Sequence, residues 1–137
     1  RAEAALALGR READGSIPQI RALLEDSEPV VVAAALDALA WLRDAEVAGS
    51  VERALAHSNH EVFQAGLRAA QTLPARDAER LVSRGIEHSA WNVRMLATNL
   101  LLELDTKQSR EILRQALVSE TDSMVRHAIE SGLRLGD

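Results

Sequence analysis

Residues 27–42 read SEPVVVAAALDALAWL, and the same pattern returns three more times along the chain. It recurs as SNHEVFQAGLRAAQTL at 58–73, SAWNVRMLATNLLLEL at 89–104 and TDSMVRHAIESGLRLG at 121–136. The valines that anchor it, Val31, Val62, Val93 and Val125, step by 31, 31 and 32. A second ladder precedes each copy: Ile20, Val51, Val82 and Leu113, with Leu24, Leu55, Ile86 and Leu117 one helical turn on. Its steps are all 31, so the extra residue of the last period falls in a loop between Leu117 and Thr121. Two apolar ladders sharing one period of this length indicate a helical repeat array.

Each period has room for two helices. The first is expected to start near Ser16, Asp44, Asp77 or Thr106, with apolar residues at i, i+3, i+4 spacing as in Ile20, Leu23 and Leu24. The second is expected to start at Ser27, Ser58, Ser89 or Thr121, whose hydroxyls suit an N-cap. Ser16 with Gln19, and Ser58 with Glu61, have the spacing of a capping box. Pro18 and Pro29 fall in first turns, where a missing N–H is harmless. Gly66, Gly85 and Gly132 fall inside helices and point to close helix approach. This divides the chain into a leading second helix (1–15) and four pairs (16–43, 44–76, 77–105, 106–137). A single pair cannot bury its stripe, so the pairs must stack. The expected fold is an all-α, right-handed solenoid, cut from a longer array.

Composition agrees. The 137 residues are 47% hydrophobic and 27% charged, with two Trp, one Phe and no Tyr, a profile that favours helix over strand. A net charge of −5 opposes a nucleic-acid groove, which needs clustered positive charge. There is no Cys, so neither disulfides nor thiol chemistry are available, which suits a reducing cytoplasm. No apolar run is long enough to span a membrane. No Walker or G-x-G phosphate loop occurs.

The loop, Val-Arg and Ala/Leu-rich helix of SEPVVVAAALDALAWL, WNVRMLATNLLLEL and SMVRHAIESGLRLGD resemble the HEAT-like repeats of phycobilisome lyases. Arg1, Arg94 and Arg126 keep the arginine of that pattern, while Val32 and Phe63 replace it. The resemblance implies a non-catalytic protein-interaction or scaffolding module from a bacterial, cytoplasmic protein, binding a protein or peptide and needing no cofactor. It leaves open a bilin lyase-like subunit or a DNA-binding alkylation-repair-type protein. An iron-dependent hydroxylase of the same fold carries His-Glu pairs early in second helices. Here Ala128 follows His127 where Glu is needed, and the one such pair, His60-Glu61, precedes its anchor valine.

His57 and His88 occupy one repeat position at the end of a first helix, about a helix spacing of ~10 Å apart, too far to share zinc. They are expected to interact as imidazolium with the helix C-terminus. Trp41 and Trp91 are expected to pack beside the core. Two, five and nine positions after the anchor, the second helix is expected to face outward, on what the resemblance makes a concave surface. Leu36, Leu67, Met95 and Leu102, flanked by Trp41 and Phe63, would then form an apolar partner-binding strip. Arg94, Arg126, Arg134 and His127 would be its polar guides. The other reading of these positions is packing between neighbouring second helices.

Overall fold

The computed structural model describes residues 16–136, and the leading helix and Arg1 lie outside them. Eight α-helices and two 3-10 segments make up the described chain, with no strand among them. It divides after Leu73 into two compact units.

Unit 1 contains α1 (Ile17–Ala22) with its 3-10 extension Leu23–Glu25, α2 (Pro29–Trp41), α3 (Val47–Leu55) and α4 (His60–Ala70). The second helices α2 and α4 pack on each other, and the first helices α1 and α3 pack onto them. Helix α2 starts at Pro29, where a fixed φ helps and no N–H is lost. From Val31 to Ala40 every side chain of α2 is buried except half-buried Asp37. A helix apolar all round belongs inside, and α2 is the centre of this unit. Asp37 reaches the guanidinium of Arg68 on α4 at 3.2 Å. Arg43, at φ 55°, turns the chain out of α2 in the left-handed region.

Unit 2 repeats the plan with α5 (Ala75–Val82) and its 3-10 extension Ser83–Glu87, α6 (Trp91–Leu104), α7 (Lys107–Ala116) and α8 (Ser123–Gly136). The second helices α6 and α8 pack together, with α5 and α7 against α6. Asp105, at φ 48°, ends α6 at the repeat position of Arg43.

Both primary ladders are core. Val31, Val62, Val93 and Val125 are buried, and so are Ile20, Val51, Val82 and Leu113. In the following ladder only Leu55 is fully buried; Leu24, Ile86 and Leu117 are half-buried. The extra residue of the fourth period lies in the connection 117–122, where Val118 is exposed.

Several helix starts differ from expectation. Helix α5 begins at Ala75, not Asp77, because Pro74 at φ −53° already sets the entry. Asp77 is left in its first turn, 3.8 Å from Arg80. The Ser/Thr ladder does not cap the second helices; where a side chain caps one, it is the next residue. Asn59 Oδ1 accepts the N–H groups of Glu61 and Val62, and Asp122 Oδ1 those of Met124 and Val125. Neither expected capping box forms: Ser16 makes no side-chain cap, and Asn59 takes the place of Ser58. A capping box does form at α7, where Thr106 and Ser109 exchange bonds of 2.9 Å.

Glycine marks close approach at two places. A Cβ on Gly66 of α4 would lie 2.9 Å from the Ala54 Cβ of α3, and one on Gly132 of α8 would lie 2.4 Å from Leu102 Cδ1 of α6. Gly85 is buried in the 3-10 extension and is not part of an α-helix.

Candidate functional site

The loop ahead of each second helix is built from a side-chain acceptor and, in unit 2, an arginine clamp. Asp26 Oδ1 accepts the N–H of Glu28, His57 Nδ1 that of Asn59, His88 Nδ1 that of Ala90, and Glu120 Oε1 that of Asp122. These four side chains step by 31, 31 and 32, so they hold one repeat position. The rings of His57 and His88 thus meet the N–H groups of the following loop through Nδ1. The shared spacing of the two histidines was visible in the sequence; their equivalence to Asp26 and Glu120 shows only once the loops are compared.

Arg94 lies over this loop in unit 2. Its Nη1 donates to the carbonyls of His88 and Ser89, both at 2.9 Å, and Nε and Nη2 hold the Glu120 carboxylate at 2.8 and 3.0 Å. Burial pushes the Glu120 carboxyl up, but the Arg94 hydrogen bonds and the N–H groups of Asp122 and Thr121 outweigh it, leaving the group below its usual range. Arg126 repeats the clamp on the carbonyls of Leu117 and Glu120, at 2.8 and 2.9 Å. Two of the three arginines expected to guide a partner, Arg94 and Arg126, thus hold their own loops. Their donors are directed at carbonyls that the helix ends leave open.

The expected apolar strip does not form. Leu36 is 1% exposed and Leu67 0%, and Phe63 is buried too. Leu36 sits in one cluster with Val32, Ala54, Val62 and Ala65, residues of α2, α3 and α4. The position five after the anchor points sideways, toward a neighbouring helix, because α2 is packed on more than one side. Met95 and Leu102 are half-buried, and Leu102 fills the space above Gly132. His127 and Arg134 are exposed, and both approach Ser131 Oγ, at 3.4 and 3.5 Å. The tryptophans do not pack into the core: Trp41, also expected at the flank of the strip, is 63% exposed and Trp91 48%. Among the described residues no group of three His, Asp or Glu side chains is placed to hold a metal ion. No described helix is long and apolar enough to cross a membrane.

Concavities lie on both units among the described residues. In unit 1 Trp41 borders one of about 480 Å³, with Ala40, Arg43, Arg68, Ala69 and Thr72. In unit 2 a groove of about 740 Å³ runs between the Ser83–Glu87 segment and α7, with Arg94 and Glu120 among its lining. A smaller groove of about 280 Å³ occupies the corresponding place in unit 1, between the Leu23–Glu25 segment and α3, lined by Leu24, Glu25, Val32, Arg53, His57 and Val62.

These pairs of helices, returning once per period around buried valines, match a known sequence family. A family profile for HEAT repeats covers residues 1–71 and again 51–134. The chain belongs to the HEAT repeat family. The two matches overlap on 51–71, within the α3–α4 pair, and together span nearly the whole sequence. The match is to HEAT repeats in general and does not extend to the phycobilisome lyase type. No curated protein matches the chain. HEAT repeats generally mediate protein–protein interaction.

Proposed function

We propose that the chain is a non-catalytic interaction module that holds a protein partner against its second helices as part of a scaffold. The carrying observation is Trp41: a large aromatic side chain, 63% exposed at the end of the buried helix α2. Its helix is buried along its length, so little backbone ordering is needed to present the indole. Arg43 and the Arg68–Asp37 pair border the same concavity. Tryptophan and arginine are the residues that most often dominate an interface, where a partner can cover them and exclude water. The partner is a protein or peptide presenting an apolar residue to the indole.

The test is site-specific photo-crosslinking in the full-length protein, with the crosslinking residue at Thr72 on the rim. Trp41→Ala should abolish a crosslink to a defined protein while leaving thermal unfolding unchanged. A crosslink of undiminished yield in a folded Trp41→Ala variant removes this reading.

A further inference from the structure

The small groove of unit 1 and the larger groove of unit 2 are one repeat position seen twice. Leu24, Glu25 and Asp26 correspond to Ile86, Glu87 and His88, and Val32 corresponds to Arg94, each two periods further along. In unit 2 the Arg94 guanidinium lies in the groove and binds the carbonyls of His88 and Ser89. In unit 1 Val32 ends short, and the space over it is open. Its apolar lining is the half-buried Leu24 with the edge of Val32, over which a methylene chain can lie. Among the described residues its rim carries Glu25, Asp26 and Arg53. His57 stands where unit 2 has Glu120, so here the carboxylates come from the near wall. Arg53 meets Glu25 in an ion pair whose side chains are both mostly exposed. Such a pair contributes little and yields readily to a competing cation.

We infer that this groove is a receptor for an arginine side chain of a peptide partner. The incoming guanidinium takes the place that Arg94 fills in unit 2: its stem lies over Val32, and its planar head faces Glu25 and the carbonyl edge of the loop 26–28. Arginine is chosen over lysine because a fork of donors can meet a carboxylate and a carbonyl together, which a point ammonium cannot. The site shares with the interaction reading only the premise of a peptide partner, and it does not involve Trp41.

The experiment titrates acetyl-Gly-Arg-Gly-amide into the isotopically labelled chain and follows backbone amide resonances. Saturable shifts are expected at residues 25–28 and 50–57, with the lysine analogue binding at least about tenfold more weakly. Val32→Arg supplies the arginine from inside, as unit 2 does, and should abolish the shifts. Ser50→Lys, on the α3 wall, should abolish them by repulsion, and it decides the matter if Val32→Arg does not fold. Trp41→Ala should leave them unchanged, which separates failure here from failure at the tryptophan. Shifts that do not saturate, that are equal for lysine, or that survive the folded variants overturn the inference.

Discussion

Arg94 and Glu120, far apart in sequence, meet edge to edge, with Nε 2.8 Å from Oε2 and Nη2 3.0 Å from Oε1. Both side chains are largely buried, so each would be left without its charge partner if the other were removed. Glu120→Ala should destabilise the chain by about 2–3 kcal/mol, since it strands the guanidinium and also removes the acceptor for the Asp122 N–H. Arg94→Lys should recover only part of the Arg94→Ala loss, because an ammonium cannot hold two carbonyls and two carboxylate oxygens together. Urea unfolding midpoints read both. Equal stability of wild type and Glu120→Ala would show the pair to be ornamental.

Acid should weaken both units by the same linkage. Hydrogen bonding from Arg21 holds the buried Asp44 carboxyl below its ordinary range against its burial, and Glu120 is held low as described. A carboxylate with a folded pKa below its unfolded one stabilises fully above the unfolded value, near 4. That stability disappears as pH falls through the folded value. Unfolding free energy should therefore be flat through the upper acid range and fall below about pH 4. Asp44→Asn should flatten that fall, measured by denaturant unfolding at stepped pH. An unchanged slope in Asp44→Asn would show that this group is not the source.

Three glycines make an internal comparison. Gly66→Ala puts a methyl 2.9 Å from Ala54 Cβ, which has no rotamer to move away, so a loss of about 1–3 kcal/mol should exceed the ~1 kcal/mol helix gain. Gly132→Ala meets the side chain of Leu102, whose methyls and Cγ can turn away where the Ala54 Cβ cannot, so its loss should be smaller. Gly49→Ala, with open space around it in α3, should stabilise by about 0.5–1 kcal/mol. Thermal melts should rank the three Gly49→Ala, Gly132→Ala, Gly66→Ala, most stable first; any other order contradicts the packing at α3 and α4.

Thr98 lies fully buried in α6 and its Oγ1 has no hydrogen-bond partner. Its repeat equivalents Leu36 and Leu67 are buried leucines. Thr98→Val keeps the shape and removes the unsatisfied hydroxyl, so it should stabilise by up to about 1 kcal/mol. A destabilised variant, in the same unfolding measurement, would mean that the hydroxyl bonds to something, such as a carbonyl one turn back.

The capping residue of α4 is a direct test of where that helix begins. Asn59→Ala should cost about 1 kcal/mol and Ser58→Ala close to nothing, read from chemical unfolding. The reverse result would return the cap to Ser58.

How far the sequence could be read depends on which neighbour a side chain meets. Val31, Val62, Val93 and Val125 return to a buried environment once per period. Their burial was legible from spacing alone. Ser58 and Asn59 were not separable that way, because both are good caps and one backbone angle decides between them. Leu36 was read as outward because its exposure depends on a different pair, through α3 and α4. Arg94 and Arg126 looked like free charges, since nothing in a linear motif shows that their donors close back on the preceding loop.

By itself, then, the sequence determined the two-helix period, its two core ladders and the place of the inserted residue. Each follows from one residue type returning to one environment once per period. Only the tertiary structure decided that Leu36 and Leu67 are core, that Trp41 is exposed and that Val32 leaves open a groove of the kind Arg94 fills. The reason is that exposure of a second-helix residue is set by packing between pairs and by side-chain length. The period of a sequence records neither.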